Sequence, residues 1–312
     1  MTGSLFQTLF NIVDIFYAGK ISSDALAALA KAFPLYFIVI SAGIGIVAGC
    51  NSLIANAIGS RNSLLASIYS YHSIIYGVLL SVLITIIGIF FSEDLLKSMG
   101  SSYQSIILSK EYVDIIFYGT IVFLILTALN SILYAQGDTK TYRNVLFFGV
   151  IANIILNPIF IYGFLFIPSF GIAGLAISTV MIQFVACIYI LYKVNNTQLK
   201  IKFELSNFLI KRNFLLNVFN QCMPITMALF LVATGSYLIL SFISVFGDQA
   251  IAGYGAAVRF EHLFSLPVIG LNTAVISIAG QNFGARRFDR IKEVYFSAIF
   301  IGFIIMCLSG VL

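Results

Sequence analysis

The stretch LFNIVDIFYAG, residues 9–19, carries one acid, Asp14, in an otherwise oily run. A carboxylate at the centre of a membrane-crossing helix costs about 2.5–3.5 kcal/mol on insertion scales. It therefore persists where something is gained from it. Gln7, Asn11 and Asp14 stand at i, i+4 and i+7, one polar stripe on one helix face. Further along, Asn153 and Asn157 share a face, as do Thr179 and Gln183. Brought together, a carboxylate, amides and a hydroxyl make an oxygen-rich pocket. Such a pocket suits a Na⁺ ion or a proton carried on Asp14. Intramembrane carboxylates most often mark ion or proton paths. The competing reading makes Asp14 interhelical glue, and for the amides and Thr179 the two readings are equal.

A second charged group, Arg259 and Glu261, falls inside an apolar run. At i, i+2 the two do not face each other on a helix, so each needs other partners. Structural anchoring and substrate contact are equal readings for Arg259, and His262 reads as a satisfied polar residue. No metal centre is expected. The four cysteines, Cys50, Cys187, Cys222 and Cys307, form no C-x-x-C and read as small buried residues. GIGIVAG at 43–49 lacks the spacing of a phosphate loop. With Ser52 and Asn56, its Gly45 and Gly49 form a small-residue stripe for close helix packing. There is no H-E-x-x-H, nucleophile elbow or Walker loop, so the chain does not read as an enzyme. No cofactor is expected, and energy would have to come from an ion gradient.

The elements that hold these residues follow from composition. The chain is 60% hydrophobic and 9% charged, with a mean hydropathy of +1.03, against about 45–50% apolar and 25% charged for soluble domains. The apolar runs are continuous and long enough for spanning helices. They do not alternate as barrel strands do. Since only helices and closed barrels satisfy the backbone in lipid, the fold is all-α and polytopic. Spans are expected at 2–19, 31–58, 66–91, 112–135, 144–167, 171–194, 214–246, 251–282 and 289–312. Pro34, Pro158, Pro224 and Pro267 fall within or near them. Alternate connections carry twelve of the seventeen Lys and Arg, and the opposite set only Lys20, Lys31, Lys97 and Lys110. The basic side should face the cytoplasm, with the N-terminus. The net charge of +5 is spread over loops and reads as topology, so no nucleic-acid partner is expected.

An offset of 225 residues aligns SSDALAALAKAF (22–33) with GDQAIAGYGAAV (247–258), and NSLIANAIGSR (51–61) with ISIAGQNFGAR (276–286). Both copies end on Gly-x-Arg. Six spans separate them, an even number, so both run the same way through the membrane: a parallel repeat, the mark of a two-lobed transporter. The expected units are 1–194, a polar basic linker at 195–213, and 214–312. A second set of six spans would extend past Leu312, so a longer reading frame is expected.

The chain resembles the multidrug and toxic compound extrusion (MATE) transporters, in particular their DinF-like bacterial branch. The resemblance rests on LFNIVDIFYAGKISSDALAALA (9–30), YAQGDTKT (134–141), NIILNPIFIYG (153–163), GIAGLAISTVMIQ (171–183), RFEHLFSLPVIGLNTA (259–274) and GQNFGAR (280–286). It implies a two-lobe bundle with a six-helix N-lobe and an incomplete C-lobe. It also implies export of cationic or amphipathic organic compounds in exchange for H⁺ or Na⁺, by a monomer in the cytoplasmic membrane. The helix 1 aspartate of the family's cation site falls on Asp14, and Asn153 and Thr179 match other positions of that site. Asn157 stands where many members have a second aspartate, so a carboxylate is missing. The residues after Pro224-Ile225 include no acid, so no second cation site is expected there. Gln7, Asn11, Tyr36, Gln183 and Arg259 are the candidates for contact with drug-like substrates. A flippase for lipid-linked oligosaccharides, which would want an Arg-lined cavity, and an inactive shortened transporter are the alternatives.

Overall fold

A computed structural model describes residues 2–98, 103–197, 199 and 211–311. Among the described residues there are nine α-helices. They are α1 (Thr2–Ile21), α2 (Ser23–Gly59), α3 (Ser63–Ser98), α4 (Tyr103–Ala135), α5 (Lys140–Tyr162), α6 (Ile172–Asn195), α7 (Arg212–Ile243), α8 (Asp248–Gly284) and α9 (Phe288–Val311). The fold is all-α, as the apolar runs require, and the chain is a multi-pass membrane protein.

Several expected boundaries move. The connections expected at 20–30 and 92–111 are largely helical. Between α1 and α2 only Ser22 is non-helical, and its side chain caps α2 by accepting from the Ala25 amide (3.0 Å). Lys31, expected at the very start of a span, among the charges of the non-cytoplasmic side, lies well inside α2, is 2% exposed and donates from Nζ to Ser105 Oγ on α4 (2.9 Å). The helix expected over 144–167 stops at Tyr162. Gly163 turns into the left-handed region (φ 83°), Phe164 and Ile167 pair across a tight turn, and Phe170 N–H returns to Phe160 O (2.9 Å). The α4–α5 turn is built by QGDTKT: Gly137 takes φ 85°, and Asp138 accepts from the Thr141 amide (3.0 Å) and hydroxyl (2.5 Å). Among the described residues, seven helices, α2 to α7 and α9, are long and apolar enough to cross a membrane. Pro34, Pro158, Pro224 and Pro267 all lie inside helices. Most of the linker expected at 195–213 lies outside the described residues.

Two buried clusters organise the bundle. One joins Ala42, Ile46, Cys50 and Ile54 of α2 to Leu124, Leu129 and Leu133 of α4, Ile190 of α6 and Val218 and Cys222 of α7. The other joins Ala18 of α1, Leu35 of α2, Phe117 of α4 and Leu175 of α6. Helices α2 and α4 are the central pair.

The repeat is structural. Helices α2 and α8 are both 37 residues long, and their starts and ends are offset by the same 225 residues, as are the starts of α3 and α9. Each long helix ends on an Arg with positive φ, 58° at Arg61 and 57° at Arg286. Each end closes with the same backbone bonds, Asn62 N–H to Ala57 O (3.0 Å) and Arg287 N–H to Asn282 O (2.8 Å). This is the left-handed helix stop that glycine usually supplies. The shared Gly-x-Arg ending is thus a shared geometry.

Candidate functional site

Helix α1 packs chiefly on α5, and at their contact Asp14 is buried, 6% exposed. Asn153 and Asn157, one turn apart on α5, are both fully buried. Each donates from Nδ2 to the same carboxylate oxygen, Asp14 Oδ1, at 3.0 and 2.9 Å. Hydrogen bonds to a charged group contribute about 1.5–3 kcal/mol each. Two of them are comparable with the insertion cost of the acid. The network continues outward: Asn157 Nδ2 also donates to Asn153 Oδ1, and Ser178 Oγ on α6 donates to Asn157 Oδ1. Helices α5 and α6 come close enough for this because Gly174, one turn before Ser178, lies on the α5 backbone. A Cβ there would stand 2.6 Å from Phe160 O.

Asp14, Asn153 and Asn157 are therefore one hydrogen-bonded group, as their spacing implies. Ser178 completes it and was not among the expected residues. It lies four residues from Gly174, on the face that α5 covers, which only the packing of α5 on α6 reveals. Thr179, the expected hydroxyl, is 2% exposed and its Oγ1 has no hydrogen-bond partner among the described residues. The stripe on α1 is only partly absorbed: Gln7 and Asn11 are exposed, while Asp14 is covered. Gln183 is half-buried, and no described hydrogen bond joins it to the Asp14 group. Tyr36 of α2 packs in the cluster that contains Ala18, edge-on to Phe123 with ring centroids 6.0 Å apart. The side chains of Arg259, Glu261 and His262 lie outside the described residues.

Around the repeat axis, α2, α7 and α8 meet closely at the end that carries Arg61 and Arg286. Asn51 Nδ2 donates to Ser277 Oγ (2.9 Å), the Ser277 hydroxyl lies 3.2 Å from Asn51 Oδ1, and Gln281 Nε2 donates to Ala135 O (2.7 Å). A Cβ on Gly45 would lie 2.0 Å from Thr226 Oγ1, and one on Gly49 2.7 Å from the Cys222 nitrogen. The small-residue stripe expected on α2 is the surface that receives α7 and α8.

A parallel pair of long repeat-related helices, together with an acid buried by amides, defines a class: polytopic helical membrane proteins built on an internal two-fold repeat. Residues 1–159 and 224–312 match the MatE family, and the chain belongs to it. It is 28% identical over 309 residues to a probable multidrug resistance protein of Bacillus subtilis, covering 98% of this chain and 67% of that one. It superimposes with a TM-score of 0.89 on a MOP superfamily transporter from Pyrococcus furiosus at 28% identity, covering 99% of this chain and 68% of the other. Two further solved structures distinguish conformations: the TM-score is 0.86 to an outward-facing multidrug resistance MATE transporter (28% identity, 99% and 68% coverage) and 0.78 to an inward-facing one (27%, 97% and 68%). The chain spans 63–67% of the length of the first curated relatives it matches.

Proposed function

We propose that this chain is part of an ion-coupled exporter of cationic or amphipathic organic molecules, with Asp14 as the group whose charge state sets which side of the membrane is open. The carrying observation is the buried carboxylate of α1 held through one oxygen by two amides of α5. A change of charge on Asp14 changes what both amides bond to, and so the seating of α1 against α5. That gives the coupling ion a differential interaction with two arrangements of the bundle, which any ligand-driven shift requires. The Arg61 and Arg286 end faces the cytoplasm on the positive-inside rule, in the bacterial inner membrane. The greater likeness to an outward-facing than to an inward-facing structure supports an outward-open state.

The coupling ion that fits this arrangement is a proton. A sodium ion needs several oxygen ligands. Here the amide oxygens of Asn153 and Asn157 already accept from Asn157 Nδ2 and Ser178 Oγ. Asn157 in place of an acid removes a further charged ligand.

The test is efflux of an ethidium-like cation from proteoliposomes under an imposed pH gradient, comparing the protein with Asp14→Asn. The substituted protein should keep its thermal unfolding profile and lose gradient-driven efflux. Undiminished efflux by that variant would refute the role of Asp14.

A further inference from the structure

Two of the four cysteines meet. Cys50 on α2 and Cys222 on α7 are both completely buried, with their sulfurs 3.6 Å apart. They lie 172 residues apart in sequence. One belongs to the six helices before the linker and the other to the helices after it. The approach is set by backbone packing: a Cβ on Gly49 would stand 2.6 Å from Cys222 Sγ and 2.8 Å from Cys222 Cα. Flexible side chains have not simply drifted together. Tyr76 of α3 lies beside both thiols, 5% exposed, with a hydroxyl that has no hydrogen-bond partner among the described residues. A recess of about 510 Å³ between α2, α7 and α8 is lined by Gly49 and Gln221, the residues that precede each cysteine, and by Ser52, Asn56 and Gly280. Both cysteines sit about 14 Å along their helices from the basic end, at 1.5 Å per residue.

We propose that Cys50 and Cys222 form an oxidisable latch, a disulfide site that joins α2 to α7 and holds the basic end closed. The oxidant is a small hydroperoxide. The sulfur of one thiol attacks the terminal peroxide oxygen, the O–O bond breaks, an alcohol (or water) leaves, and a sulfenic acid remains. The second thiol attacks the sulfenic sulfur, the S–S bond forms, and the hydroxyl departs with the thiol proton as water. Two thiols lose two electrons and the peroxide gains them. A disulfide needs the sulfurs about 2.05 Å apart, so they must close by about 1.5 Å, within reach of side-chain rotation at both residues. Thiols buried among apolar groups are inert. The recess brings the oxidant as far as Gly49 and Gln221, neither cysteine lining it, and parting of α2 from α7 uncovers both sulfurs, so the bond should form faster in a protein whose helices separate and return. The bond would then retain the closed arrangement until a dithiol reduces it.

The experiment uses the purified protein in detergent, treated with hydrogen peroxide, alkylated, digested and mapped by mass spectrometry. A Cys50–Cys222 linked peptide should accumulate, vanish on treatment with dithiothreitol, and be absent from Cys222→Ser. Cys307, which is exposed, serves as the internal measure of oxidation. If Cys307 is fully oxidised while Cys50 and Cys222 both remain alkylatable, the site does not exist. Amide hydrogen exchange at residues 280–287 tests the latch itself: it should slow at least tenfold in the oxidised protein and not change in peroxide-treated Cys222→Ser. Equal exchange in the oxidised and reduced protein would leave a disulfide with no holding role and overturn the latch. Neither readout depends on transport or on Asp14.

Discussion

Gly59 and Gly284 occupy equivalent places in two interlocked helices: a Cβ on Gly59 would lie 2.0 Å from Gln281 O, and one on Gly284 2.1 Å from Asn56 O. Asn56 and Gln281 are themselves repeat mates, and Gly280 abuts its own mate, Ala55, at 2.9 Å. The two-fold axis of the repeat passes between these residues. A close crossing of this kind is possible only where neither helix presents a side chain. Gly284→Ala should therefore lower stability by about 1–3 kcal/mol through overpacking, although Ala is otherwise the better helix former. Gly255→Ala, whose Cβ would meet, among the described residues, only Ala30 at 3.6 Å, is the control and should be neutral or stabilising. Thermal unfolding in detergent compares them.

Asn51 and Ser277 tie the same crossing by reciprocal hydrogen bonds. Asn51→Ala leaves the buried Ser277 hydroxyl with Thr273 O (3.1 Å) and removes the bond across the crossing, which should cost about 1 kcal/mol. In a double-mutant cycle with Ser277→Ala the two changes should couple by about 1 kcal/mol, because either substitution alone already removes the interhelical bond. Additive effects would show that the pair does not hold the helices together.

Ser178 and Thr179 are adjacent, yet they should respond oppositely. Ser178→Ala removes the donor that orients the Asn157 amide and should destabilise by about 1 kcal/mol. Thr179→Val removes a buried hydroxyl that bonds to none of the described residues, and should be neutral or stabilising. If Thr179→Val proves the costlier of the two in chemical unfolding, the hydroxyl has a ligand that the network lacks.

Asn157→Asp would place a second carboxylate beside Asp14. Two like charges at this depth destabilise each other, and a bound sodium ion would relieve them. Melting temperature should therefore rise with NaCl in Asn157→Asp, relative to matched choline chloride, and not in the parent protein. A sodium-specific rise in the parent would turn the coupling assignment from proton to sodium.

The spans, the repeat and the Asp14–Asn153–Asn157 group were legible because each is periodic: apolar length, a fixed offset, and helical spacing. Helix ends were not, because hydropathy reports the hydrocarbon thickness while the helix runs on into polar sequence. Ser23 to Lys31 and Glu93 to Ser98 are helical beyond the oily stretch. Lys31 escaped for the same reason, since a lysine near an apparent boundary looks like a loop residue until α4 is seen to cover it. Ser178 and the Cys50–Cys222 contact depend on which helices touch, and one chain read alone does not contain that information. Gln7 and Asn11 sit on the right face of α1, but coverage by neighbours, not spacing, decides burial.

The length of α2 and α8 has a mechanical corollary. At 37 residues each they are about 55 Å long, far more than the roughly 30 Å of bilayer hydrocarbon. Their tightest crossing, at Ala55 and Gly280, is close to one end, and they touch again near the other, where a Cβ on Gly255 would meet Ala30 at 3.6 Å. Once that outer contact parts, each is a lever with a very unequal pair of arms: a swing of about 10° at the crossing carries the distant tip through about 8 Å, on an arm of about 48 Å. Ångström-scale adjustments beside the fulcrum would become an aperture wide enough for a small molecule on the opposite face.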